Sequence, residues 1–193
     1  MPIPPWRELL ERALGQHGDL PQARHVQLAT VRPDGRPANR TVVFQGFLDE
    51  ASGLLFTTDL RSAKAIQLAH NAWAEACWTF PEPREQFRLL GPVTVVGPEG
   101  SSSKLQEARH GIWRVLTDPV RQSFTWPTPG ADRDDDEAFQ RPSPGLNEPP
   151  LTFGLLVLEP HEVDHLLLRD TAHERHRYER SIEGRWLMRA VNP

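Results

Sequence analysis

Between residues 38 and 65 the chain reads ANRTVVFQGFLDEASGLLFTTDLRSAKA, and within it stand Arg40, Thr57, Thr58, Arg61, Ser62 and Lys64. Guanidinium and ammonium groups give charge-assisted hydrogen bonds, and the first turn of a helix adds free backbone N–H groups. Cations and hydroxyls gathered around strand ends and a helix start are therefore what a bound phosphate needs. No P-loop and no nucleophile triad stands elsewhere in the chain. The same residues have a plainer reading, a solvent-exposed arginine at a strand start and a helix capped by Ser62. Side chains alternate along a strand, so Arg40, Val42 and Phe44 share a face. Arg40 reaches a site only if that face is not wholly core.

Three other groupings hold reactive residue types. His161-Glu162-Val163-Asp164-His165 fits the H-E-x-x-H pattern of zinc hydrolases. That pattern works on a helix, where two imidazoles four apart meet one metal. Here Pro160 precedes it and the flanks are strand-like, and on a strand the two imidazoles lie roughly 13 Å apart. The expectation is a strand with surface histidines and no metal. His173-Glu174-Arg175-His176 lacks a third ligand at useful spacing and reads as a mixed-charge strand. Of the six tryptophans, Trp73, Trp78 and Trp186 sit in strand-like runs and are expected in the core, while Trp126 is expected to be partly exposed and to line a pocket.

The elements that must position these groups follow from periodicity. Residues 6–14 have helical apolar spacing, with prolines before and Gly15 after. Strands are expected at VQLATVR, ANRTVVFQGF, LLFTT, AWAEACWTF and EQFRLLGPVTVVG, with turns over residues 33–35, 48–53 and 81–84. Residues 62–71 read as a short amphipathic helix with Ala65, Ile66 and Ala69 as its apolar positions. Residues 101–116 read as a third helix, ended by Asp118-Pro119. Residues 127–150 are rich in proline and acid and are expected to form a mobile loop. TFGLLVLEP, VDHLLLR, ERHRYER and RWLMRAV close the pattern as strands. Many short strands, few helices and no βαβ alternation predict a mainly β (α+β) fold, an antiparallel barrel in one domain spanning residues 1–193.

Composition sets outer bounds. The 193 residues suffice for one domain with a real core. A net charge of −4 gives no basic field for nucleic acid. Cys77, the lone cysteine, reads as a buried thiol. No apolar run approaches the roughly 20 residues of a membrane span, and no signal-peptide pattern opens the chain, so a cytoplasmic protein is expected.

Four blocks in order resemble the pyridoxamine-5′-phosphate-oxidase-like flavoproteins. RTVVFQ, Arg40 with Thr41 and Val42 through to Gln45, is similar to the family strand whose arginine holds the FMN phosphate. FTTDLRSAK is similar to the block where threonine, here Thr57 and Thr58, lies behind the flavin and where serine and lysine, here Ser62 and Lys64, bind phosphate. EQFRLLG is similar to the strand that brings Gln86 to the flavin from a partner subunit, and HERHRY to the strand that brings Arg175. Gln122 and Ser123 match a Gln-Ser pair near the FMN phosphate. The resemblance implies a split β-barrel, FMN as cofactor, a homodimer, and hydride transfer at flavin N5 with His173 as the acid–base candidate.

The departures from that family bear on the substrate. Gln45 stands where the vitamin B6 oxidase has a phosphate-binding lysine, and Leu105 and Trp113 fall near its tyrosine and serine. Arg109 keeps an arginine. Thr171 replaces another, His165 replaces a tryptophan, and Ala63 replaces a basic residue for which Arg61 is expected to substitute. The resemblance thus implies an intact FMN site and a dismantled B6 substrate site. A flavin carrier or sensor without turnover stays open, as does, more remotely, a metallohydrolase using HEVDH.

Overall fold

The computed structural model describes residues 3–18, 20–48, 52–82 and 84–193. The turns expected over 48–53 and 81–84 thus fall partly outside the described residues. Helix α1 (Pro5–Gln16) precedes strands β1 (His25–Val31), β2 (Pro37–Phe47) and β3 (Leu54–Asp59). Helix α2 (Ala63–His70) leads to β4 (Trp73–Phe80) and β5 (Glu85–Val96). Helices α3 (Ser103–Val115) and α4 (Asp118–Ser123) follow, then β6 (Phe153–Leu158), β7 (Glu162–Leu167), β8 (Glu174–Arg180) and β9 (Trp186–Val191). All strand pairs are antiparallel.

Six strands close a barrel in the order β1-β2-β3-β6-β5-β4, because β4 pairs with both β1 and β5. Two long strands serve two neighbours each. β2 pairs β1 through Val43, then passes a bulge at Phe44 and Gly46 to pair β3. Gly46 takes φ +142°, a conformation that side chains resist. β5 pairs β7 from Glu85 to Leu90 and β6 from Val93 to Val96, and this change of partner splits the barrel. At the changeover a Cβ on Gly91 would lie 1.9 Å from the Glu159 carbonyl oxygen, so only glycine fits. β7, β8 and β9 extend from that edge as a sheet.

Alternation places the core. In β5 the inward Glu85, Phe87 and Leu89 are buried, while Gln86, Arg88 and Leu90 face outward. β6, FGLLVL, is buried on both faces: Leu156 and Leu158 join the barrel core, while Phe153, Leu155 and Val157 pack with Trp113, Leu116 and Phe124 of the helical layer.

Several expectations need correction. Asp118-Pro119 starts α4 rather than ending α3, since proline is tolerated in a first helical turn. Trp73 is 45% exposed, at the end of β4, with its ring edge-on to His161. Cys77 is only half-buried, on the outward face of β4, and burial pushes its thiol pKa up. In α2, Ile66 and Ala69 are exposed and Gln67 is buried with Leu68. Residues 127–150 hold no strand and one short helical turn, Asp136–Phe139. Hydrogen bonds join them to the helices: Gln122 Nε2 donates to the Arg141 carbonyl, Ser143 to that of Asp118 at 3.3 Å and Trp113 to that of Gly145 at 2.9 Å.

Candidate functional site: an anion pocket at the start of α2

Strands β1 and β2 and helix α2 bring three of the expected residues together. Arg40 lies on the inward face of β2, two residues before the buried Val42, where the barrel wall gives way to α2. Its guanidinium donates to the Leu28 carbonyl at 3.1 Å, to Thr30 Oγ1 at 2.6 Å and to Gln67 Oε1 at 2.9 Å. Lys64, in the first turn of α2, donates to Ser62 Oγ at 3.2 Å. Neither cation has a carboxylate within ion-pair distance among the described residues. Burial, and then the nearby Arg40, push the Lys64 ammonium below its ordinary pKa, with Asp59 opposing. Burial and Arg32 likewise lower Arg40. Two cations held close at an electrostatic cost, beside a helix start whose first N–H groups have no intrahelical acceptor, fit a dianionic phosphate.

Ser62 is the residue before α2, yet its hydroxyl does not cap the helix. It donates back to the Asp59 carbonyl at 2.6 Å and lies 3.4 Å from the Thr58 hydroxyl. Thr58 is buried and Thr57 half-buried on β3. Arg61 is committed elsewhere. It is gripped by Asp59 through contacts of 3.0 and 2.6 Å and reaches the Trp126 carbonyl at 2.9 Å. That last bond ties the α4 end, with Gln122 and Ser123, to the same turn. The Ser123 hydroxyl donates to Val120 O at 2.7 Å. Trp126 is 38% exposed, edge-on to Phe139.

Other expected residues lie apart. Thr41 and Gln45 flank the buried Val42 and Phe44 on β2, with Thr41 exposed and the Gln45 amide turned to the Val43 carbonyl at 3.3 Å. Gln86 faces outward on β5, and its row continues through Leu166 to Arg175. From β2 to β5 around the wall is three strand spacings, about 14 Å, and β8 lies two strands further. Arg175 is held bidentately by Asp164 at 2.9 and 2.7 Å, and that contact keeps the carboxyl below its usual range. His173 is exposed, its Nδ1 accepting from the Arg169 N–H at 3.2 Å.

The HEVDH run lies mostly on β7, where its two imidazoles meet different partners. His161 meets Trp73, whereas His165 points inward, stacks on Phe87 at 4.3 Å and sits 3.2 Å from Glu85. His165 is thus buried, not a surface residue, and burial lowers its pKa. Among the described residues no group of three such side chains is placed to hold a metal, and no helix is long and apolar enough to cross a membrane.

Thr30, Gln67 and Asp59 were not legible in the sequence as parts of this site. Thr30 and Gln67 are 37 residues apart and uncharged. The exposed Ile66 beside a buried Gln67 is the one local signal, visible only once the helix face is known.

Residues 3–97 match the pyridoxamine 5′-phosphate oxidase, FMN-binding domain model. A pyridoxine/pyridoxamine 5′-phosphate oxidase 2 of Arabidopsis thaliana is 36% identical over 171 residues, 86% of this chain and 85% of the relative. The crystal structure of a pyridoxamine 5′-phosphate oxidase-related, FMN-binding protein from Nostoc punctiforme superposes with a TM-score of 0.96 at 46% identity, covering 100% of both chains. PhzG from Burkholderia lata, solved with tetrahydrophenazine-1-carboxylic acid, gives a TM-score of 0.81 at 25% identity over 100% of this chain and 94% of that one. The split barrel and these matches together place the chain in the pyridoxamine 5′-phosphate oxidase family of FMN-binding proteins.

Proposed function

We propose that this protein is a homodimeric FMN-dependent oxidoreductase that holds the cofactor phosphate on Arg40, Ser62 and Lys64. The observation that carries the reading is the convergence of Arg40 and Lys64 at the start of α2, with no carboxylate partner for either among the described residues. FMN, when bound, would supply hydride transfer at its N5 position. Thr57 and Thr58 would back the ring. Gln86 and Arg175 face outward, far around the sheet from Arg40, so they would serve a ring held by the other chain. The exposed Leu187 on edge strand β9, on the same face as Arg175, supports a second copy covering that sheet. His173, accepting at Nδ1, carries its proton at Nε2 toward solvent and is the acid–base candidate.

The oxidase name of the Arabidopsis relative supports turnover of a B6 phosphate. One observation favours a different substrate, or binding without turnover. Arg109, which would grip a substrate phosphate, is buried and spends its donors on the Phe153 and Pro150 carbonyls at 3.0 and 3.2 Å. Gln45 brings no charge either. The visible spectrum of the purified protein and identification of the released flavin test the cofactor. An assay of pyridoxamine 5′-phosphate oxidation then separates the readings. A colourless protein that takes up no FMN would overturn the proposal.

A further inference from the structure

We infer that Thr30 and Gln67 are positioning residues of the anion pocket: they hold Arg40 by one edge and leave its other edge as a fork for two phosphate oxygens. The inference rests on the FMN reading above and extends it to two residues that carry no charge.

A guanidinium has five N–H donors and no acceptor. Nη1 spends both of its hydrogens, on Leu28 O at 3.1 Å and Thr30 Oγ1 at 2.6 Å. Since Arg40 can only donate, the Thr30 oxygen accepts there and its own proton goes to Gln67 Oε1 at 2.6 Å. Gln67 Oε1 also accepts one Nη2 hydrogen, at 2.9 Å. The three side chains thus close a triangle on the Nη1–Nη2 edge. What remains is Nε–H and the second Nη2–H, which lie side by side on the opposite edge and have no partner among the described residues. Two parallel N–H groups match two oxygens of a phosphate monoester.

Burial makes the triangle stiff. Thr30 is 2% exposed and Gln67 7%. Gln67 lies one helical turn after Lys64 on α2, so the same helix supplies one cation and aims the other. Rotation of the guanidinium would leave Gln67 Oε1 and Thr30 Oγ1 short of a buried donor, which is costly. The ligand therefore meets an arginine already oriented.

The test uses the full-length protein stripped of flavin and titrated with FMN and with riboflavin, read by quenching of flavin fluorescence. Wild type should prefer FMN by about a hundredfold or more. Thr30→Val and Gln67→Leu should each lower FMN affinity about tenfold while riboflavin affinity stays within about twofold, and Thr30→Ser should restore FMN binding. Gln67→Glu keeps both acceptor bonds, so it should fold, and its charge should oppose the phosphate and cut FMN affinity alone. Equal loss of both flavins in these variants, or unchanged FMN affinity, overturns the positioning role. Unchanged FMN affinity in Arg40→Gln overturns the phosphate pocket itself, which separates failure of the reading from failure of the inference.

Discussion

Asp59 grips Arg61 through two side-chain contacts, 3.0 Å to Nε and 2.6 Å to Nη2, and that grip commits the Arg61 guanidinium to a carboxylate of its own. The Asp59 contact raises the Arg61 pKa, so the pair is charged throughout. Arg61→Ala should therefore change FMN affinity by less than about 1 kcal/mol. Arg40→Ala and Lys64→Ala should each cost about 1.5–3 kcal/mol, the scale of a charge-assisted hydrogen bond. Isothermal titration with FMN measures all three. A larger loss in Arg61→Ala than in Lys64→Ala would put the phosphate on the wrong cation.

The depressed Lys64 pKa gives FMN binding a pH dependence of definite sign. In the free protein the ammonium sits below its ordinary 10.5 because of burial and Arg40. A bound phosphate favours the charged form and raises it again. Binding then takes up a proton, and affinity falls as pH rises through the alkaline window below 10.5. Riboflavin should show no such fall, and Lys64→Arg should abolish it. Parallel pH profiles for FMN and riboflavin in wild type would contradict this account.

Arg109 should matter for stability rather than for the cofactor. Arg109→Met removes the side-chain donor from the Phe153 and Pro150 carbonyls, leaving Pro150 only the Phe153 N–H, and loosens the end of the 127–150 segment. The expected cost is about 2–4 kcal/mol in urea unfolding, with faster proteolysis inside that segment and FMN affinity unchanged. Loss of FMN binding with stability intact would reverse the assignment.

His165 should make the fold acid-sensitive. Its folded pKa is lowered chiefly by burial. His176 and Arg12 push the same way, and Glu85 opposes. The unfolded chain therefore takes up this proton first, and stability falls as pH drops below the ordinary histidine value of 6.5. Thermal midpoints measured from about pH 7.5 to about pH 5 should decline in wild type and decline less in His165→Gln, which keeps a hydrogen-bond partner for Glu85. Identical slopes would show that other groups set the acid limb.

The strands were readable because burial in a barrel alternates, as in EQFRLLG, and because FGLLVL is covered on both faces. Arg40, Ser62 and Lys64 stood out as a candidate block because they are close in sequence and chemically distinctive. Their match to the family's other blocks extended that local signal to FMN. Pairings between distant segments were not readable. Whether Arg61 or Arg40 faces the anion depends on Asp59, and whether α2 turns Ile66 or Gln67 inward depends on what waits beneath it. His165, expected at the surface, went inside because Glu85 and the Phe87 ring were there to receive it. Residue type and spacing alone thus determined that the chain forms strands and that it offers cations and hydroxyls of the kind a phosphate needs. Which partner each cation meets was decided by tertiary structure, because a charged side chain turns toward whichever buried partner the fold sets beside it.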